Sequence, residues 1–154
     1  MDGFGNKRFV KFGKVPAMNQ QTENRSSPDK RFRFAKAFRL RYQPEFDRVH
    51  ESDYYAADQT LVVKAVFNGT DVTRLGLSVN RRVGCAVVRN KWKRTIREAF
   101  RLHRSQLPSG LDLVVRPRRG ATCDYHRIAK SLPRLVERLN RKVQQGDRVE
   151  NQNG

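Results

Sequence analysis

The apolar positions of this chain change period along its length. Leu61-Val62-Val63 and Val66-Phe67 form a nearly continuous apolar stretch that stops at Asn68-Gly69, a dipeptide suited to a tight turn. Beyond it, Leu75, Leu77 and Val79 alternate with Gly76 and Ser78, a period of two. Residues 52–83 therefore read as strands. Gly84 interrupts the alternation, and from Ala86 the spacing becomes helical until Pro108 and Gly110, which predicts a helix over 86–107. Residues 111–115 are a short apolar run closed by Pro117 and Gly120, the pattern of a buried strand. Thr122 or Asp124 can cap a last helix over about 125–143, with Tyr125, Ala129, Leu132, Val136, Leu139 and Val143 as its apolar stripe. Pro133 lies within that stripe and cannot donate to the helix ladder, so a kink is expected there.

The flanks carry no such periods. Residues 1–37 are rich in Asn, Gln, Ser, Pro and Gly and predict a disordered basic arm, with order beginning near Phe38. Residues 144–154 predict a flexible polar tail. The expected organisation is one domain over 38–143 between these two segments, a size that allows a moderate core.

The helix over 86–107 carries most of the functional information. With Trp92 at its centre and a turn of about 100° per residue, Val88, Ile96, Ala99 and His103 fall within about 40° and predict a core-facing stripe. His103 on that stripe reads as a hydrogen-bonded core residue, not a catalytic one. Another side gathers Arg89, Lys93, Arg97, Arg101 and Arg104, joined by Asn90 and Arg94. Residues 89, 93, 97 and 101 are successive i,i+4 neighbours, all basic, and Glu98 lies off the centre of the cluster. Like charges at this spacing repel by a few tenths of a kcal/mol, which phosphates would relieve. A merely solvated charged helix is the plain alternative, and the composition weighs against it. Lys and Arg number 33 against 15 Asp and Glu, a net charge of +18. Such an excess calls for a polyanion, with nucleic acid the leading partner and an anionic membrane surface the rival. Arg suits forked contacts to phosphate or base edges better than Lys, and Asn90 can pair with a base edge or ribose hydroxyl, or cap locally.

Other chemistries find little support. No apolar run approaches the roughly 20 residues of a membrane span. Phe4, Phe9 and Phe12 are scattered among Lys7, Arg8, Lys11 and Lys14, which is not a secretion signal. A cytoplasmic protein is expected, with Cys85 and Cys123 as free thiols. The sequence offers no acid–base cluster, zinc spacing, P-loop, zinc finger or aromatic RNA-recognition motif, so neither a catalytic residue nor a protein metal site is expected.

Arg89-Asn90-Lys91-Trp92-Lys93-Arg94-Thr95-Ile96-Arg97-Glu98 resembles the signature helix of the bacterial ribonuclease P protein family. Leu75-Gly76-Leu77-Ser78-Val79 and Arg81-Arg82-Val83-Gly84 are similar to the strand and basic turn that precede it. Asp112-Leu113-Val114-Val115-Arg116-Pro117 is similar to the last strand, and Arg39-Leu40-Arg41 with Glu45-Phe46 to the opening segment and first helix. The similarity covers about 38–141.

The resemblance implies an α+β sandwich in αβββαβα order, with a mostly antiparallel four-stranded sheet, three helices and a left-handed βαβ crossover. It also implies a subunit of a ribonucleoprotein endonuclease that removes the 5′ leader of precursor tRNA. An RNA subunit would perform the cleavage with Mg²⁺ held mainly by RNA. Arg81, Arg82, Arg89, Asn90, Lys91, Lys93, Arg94, Arg97 and Arg101 would bind RNA. Phe46, His50 and Lys64 would line a leader cleft. The expected partners are the catalytic RNA and precursor tRNA, with no membrane and no obligate protein partner. Three positions depart from the family pattern: His50 and Lys64 stand where aromatics are common, and Cys85 where Asn is frequent, which shifts leader binding from stacking toward charge. A structural RNA-binding protein such as a ribosomal component remains the alternative. A membrane-active polyanion binder ranks last, because the apolar stripe has strands to pack against.

Overall fold

The computed structural model describes residues 35–153, with side chains described up to residue 146. The basic arm expected over 1–37 lies outside these residues up to position 34. Three helices and four strands follow in the order α1 (Gln43–Glu51), β1 (Tyr55–Ala57), β2 (Leu61–Phe67), β3 (Arg74–Leu77), α2 (Ala86–His103), β4 (Leu111–Pro117) and α3 (Tyr125–Asn153). The sheet order is β1-β2-β4-β3. β1 with β2 and β2 with β4 are antiparallel, and β3 with β4 is parallel, so α2 forms the crossover between adjacent strands. The expected αβββαβα order and mostly antiparallel sheet are what the chain adopts.

The pleat of β2 and β4 divides the molecule. Leu61, Val63 and Ala65 of β2, Leu75 of β3 and Leu111, Leu113 and Val115 of β4 point to one face and are buried. There they meet Trp92, Ile96, Ala99 and Phe100 of α2 and Ile128, Leu132, Leu135, Val136, Leu139 and Val143 of α3. Burying each large side chain of this kind contributes about 1.5–3 kcal/mol. Two details of the expected stripes change. Val88 is 37% exposed, because the first turn of α2 lies beyond the buried stripe, while Phe100 is fully buried. On α3, Ile128 and Leu135 are fully buried and Tyr125 and Ala129 only partly, because the helix is gripped by α2 as well as the sheet, which widens its apolar face.

Helix ends follow local chemistry. α2 stops at His103 and tightens into a 3₁₀ turn, Arg104–Gln106, instead of continuing to 107. Asp124 is the cap of α3, its Oδ1 accepting the Arg127 N–H at 2.9 Å. Pro133 sits inside α3, which continues to Asn153, past the boundary at 143 that periodicity suggested. Asp58 pins the β1–β2 turn by accepting the N–H groups of Thr60 and Leu61 at 2.7 and 2.9 Å, and it accepts the Ser131 hydroxyl from α3.

Among the described residues, the second face is covered at one end. Phe46 and Val49 of α1 pack there with Leu40, Val66 and Val114. Gly76 of β3 makes room for Phe46: a Cβ at 76 would lie 2.7 Å from the ring. Along β4 the side chains on this face run from fully buried Asp112 through Val114 to exposed Arg116. α1 shelters the first two and leaves the last open. The segment before α1 lies along the free edge of β3, with an isolated bridge between Arg39 and Leu75.

Candidate RNA-binding surfaces

The buried stripe of α2 fixes where its cations stand. Arg89, Lys93, Arg97 and Arg101 flank it and are half-buried, while Asn90, Lys91 and Arg94 are exposed. The i,i+4 row expected from spacing is therefore one continuous basic ridge. Burial, and then the nearby Arg39 charge, hold the Arg97 guanidinium below its ordinary pKa. A polyanion on this ridge would offset both effects. Among the described residues the buried Arg89 Nε has no hydrogen-bond partner. At the far end the ridge is neutralised from within. The Arg101 Nε donates to Glu98 at 3.0 Å, and Arg104 stacks 3.9 Å over the Phe38 ring. His103 donates from Nδ1 to the Ala99 carbonyl, 2.8 Å away, as a half-buried structural histidine.

Arg81 and Arg82 do not continue the helical ridge. They occupy a 3₁₀ turn, Arg81–Val83, capped by Asn80, whose side chain accepts the Arg82 N–H at 3.1 Å. The turn carries Arg82 to the wall of a cleft on the open face of the sheet. Cys85, exposed and free, follows at the N-cap of α2. The N–H groups of Val88 and Val87 hold its thiol below the ordinary value.

The cleft has a volume of about 1010 Å³ and is lined by Tyr55, Val62, Lys64, Ser78, Asn80, Arg82, Arg116 and Arg119, among others. A smaller recess of about 240 Å³ adjoins Lys64, Arg116 and Val62 and adds His50 and Val114. The structure thus brings His50 and Lys64 together, but Phe46 is not among the lining residues; it is half-buried in the small core under α1. Lys64 is also more constrained than its sequence suggests. Its Nζ donates to the carbonyls of His50 at 2.6 Å and Ser52 at 3.0 Å, closing the C-terminal end of α1.

Behind the cleft lies an ion network that periodicity does not reveal. Asp112 is fully buried, and its carboxylate accepts from Arg48, from Arg74 through Nε at 2.8 Å and Nη2 at 2.6 Å, and from the Asn68 amide at 2.9 Å. Arg74 also donates to Glu45 at 2.7 Å. Hydrogen bonding to Asp112 above all, against some desolvation, raises the Arg74 pKa. Glu45 accepts the N–H groups of Arg41 and Tyr42 at 2.7 and 3.1 Å, and these with Arg74 hold its carboxyl below the usual range. One signal existed in the sequence: a lone Asp within the apolar run 111–115 needs cationic partners if the strand is buried on both faces. Among the described residues no group of three or more His, Cys, Asp and Glu could hold a metal ion, and no helix is long and apolar enough to cross a membrane.

Comparisons with known proteins point to one family. The Ribonuclease P family profile matches residues 34–140. The ribonuclease P protein component of Dictyoglomus turgidum is 38% identical over 109 residues, spanning 68% of this chain and 91% of the relative. That of Caldanaerobacter subterraneus is 36% identical over 104 residues, 67% of this chain and 90% of the relative. The solved RNase P protein of Thermotoga maritima superposes with a TM-score of 0.61 at 34% identity, over 65% of this chain and 96% of that one. The Staphylococcus aureus RNase P protein gives 0.59 at 35% identity, over 66% and 94%. The ribosomal alternative is not favoured by these similarities.

Proposed function

The chain belongs to the bacterial ribonuclease P protein family and is the accessory protein subunit of that tRNA 5′-processing endoribonuclease, and on this premise we propose that two surfaces divide its recognition of RNA. The α2 ridge, with Arg89, Asn90, Lys91, Lys93, Arg94 and Arg97, meets the catalytic RNA. The cleft, with His50, Lys64, Arg82 and Arg116, takes the single-stranded leader of precursor tRNA. The observation that carries this reading is the division made by the sheet: α2 packs on one face and the cleft opens on the other. Two RNA segments can therefore be held without competing.

The roles follow from chemistry. A ridge in which Arg89, Lys93 and Arg97 are half-buried suits the fixed phosphates of a folded RNA, because partial burial restricts these cations before binding. A cleft with a polar and basic rim suits a flexible strand, whose phosphates need countercharge but whose sequence varies. Phe46 contributes by fixing α1, and hence His50, against the sheet. Mg²⁺ belongs with the RNA in this reading, since Asp112 and Glu45 are already engaged by Arg48 and Arg74. The protein acts by charge and position.

Adding the full chain to a bacterial-type catalytic RNA and a precursor tRNA at low Mg²⁺ tests this function. Cleavage at the mature 5′ end should rise when the protein is added, and the protein alone should leave the precursor intact. Site-specific cleavage by RNA-free protein that survives nuclease-contamination controls would defeat the accessory role.

A further inference from the structure

The cleft has an outer lip that this division of roles leaves unused. Tyr55 of the edge strand β1 is the cross-strand partner of Lys64. Ala56 beside it turns into the core, so Tyr55 shares the cleft face with Lys64. The residue is 57% exposed. Of the described residues lining the cleft and its recess, Tyr55 alone presents a phenyl-type ring.

This ring is held in place by a part of α3 outside the family match, which ends at residue 140. Lys142 donates from Nζ to the Tyr55 carbonyl at 3.0 Å, and the same nitrogen lies 5.7 Å from the ring centroid. Val143 is buried in the core beside it. One turn from Lys142, Gly146 leaves space for the phenol of Tyr54, which a Cβ there would strike. The end of α3 thus clamps β1 through both tyrosines.

We propose that Tyr55 is a base-stacking residue for single-stranded RNA, which extends the leader path beyond Lys64 to the β1 edge, with Lys142 as its positioning residue. The proposal rests on the leader-cleft reading. An exposed, positioned ring within a basic groove offers a face to any unpaired base, and the neighbouring ammonium offers countercharge to a phosphate. Leader affinity therefore gains a stacking contribution that neither His50 nor Lys64 supplies, and which needs a leader long enough to reach the lip.

The test uses the full chain assembled with catalytic RNA, and precursor tRNAs in which an abasic nucleotide is moved stepwise along the leader. With the unaltered protein, one abasic position should weaken precursor binding about five- to tenfold, the lower part of the range for losing one stacked base. Tyr55→Ala should weaken the intact precursor similarly and show no further loss at that position. Tyr55→Phe should behave like the unaltered protein, and Lys142→Ala should give a smaller loss at the same position. Because Tyr55 is exposed, unchanged melting temperature and unchanged assembly with catalytic RNA are expected. Arg116→Ala distinguishes the two levels of the reading. If Arg116→Ala weakens leader-dependent binding while Tyr55→Ala gives the same abasic profile as the unaltered protein, the cleft stands and stacking by Tyr55 is overturned. If neither variant alters leader dependence, the cleft reading falls and the proposal with it.

Discussion

The two faces of the sheet are made from the same strands and stabilised by different physics. On the face toward α2 and α3, alternate residues of β2 and β4 enter a core that is apolar throughout. On the face toward α1, the intervening residues are Val62, Lys64 and Val66 on β2 and Asp112, Val114 and Arg116 on β4. The first face is closed by the hydrophobic effect, which is non-directional and tolerates exchange of one apolar side chain for another. The second is closed at one end by a small apolar cluster together with hydrogen-bonded charges whose partners are specific, and is open at the other. A surface built on positioned charge can hold an RNA strand without burying it. The difference leaves the less apolar side of the sheet open at the proposed leader cleft.

Changing one group on each part of the charged face separates support from binding. The largest effect is expected for Asp112→Ala. It leaves Arg48, Arg74 and Asn68 without their shared acceptor, and removing one partner from a buried ionic network costs about 3–5 kcal/mol. Denaturant unfolding checks this, and a loss below about 1 kcal/mol would mean that the network does not hold α1 to the sheet.

A smaller effect is expected for Lys64→Met, which keeps most of the unbranched side chain but removes the donor to the His50 and Ser52 carbonyls. Stability should fall by about 1–2 kcal/mol, the scale of a partly exposed hydrogen bond. Binding of leader-bearing precursor should weaken more than binding of mature tRNA. Equal weakening of both would assign Lys64 a purely structural role.

The smallest effect is a pH dependence. Glu45 lies below its ordinary pKa of 4.5, so the stability it contributes is complete above that value and is lost as pH falls through the lower folded-state pKa. Glu45→Gln cannot titrate. Its stability should lie below that of the unaltered chain at neutral pH, and the two curves should converge in acid. Parallel acid limbs would show that Glu45 is not coupled to folding.

The same contrast explains how much of the molecule was readable beforehand. The apolar face was legible because burial imposes a period: Leu75 and Leu77 alternate with Gly76, and Trp92, Ile96 and Ala99 recur along one side of a helix. The basic ridge was legible for the same reason, since Arg89, Lys93, Arg97 and Arg101 share that helix's flank. The charged face was not. Arg48 and Asp112 are 64 positions apart, and no local rule pairs them. Phe46 was assigned to the cleft by resemblance, but the absent Cβ of Gly76 lets it settle into the small core. Arg82 is expected by resemblance in a basic turn before the helix, and that turn, capped by Asn80, places it at the cleft wall. Tyr55 became visible only when strand pairing placed it beside Lys64.

The most direct test of the two-surface account is the salt dependence of binding to catalytic RNA, measured for the full chain, for the combined Arg89→Ala, Lys93→Ala and Arg97→Ala variant, and for Arg116→Ala. Each phosphate contact contributes roughly 0.7 to 0.9 to the slope of log affinity against log salt. The triple variant should therefore lose about two to three units of slope if all three cations meet phosphates, and Arg116→Ala should retain the slope of the unaltered chain. An equal loss of slope in both variants would contradict the assignment of catalytic RNA to the α2 ridge alone.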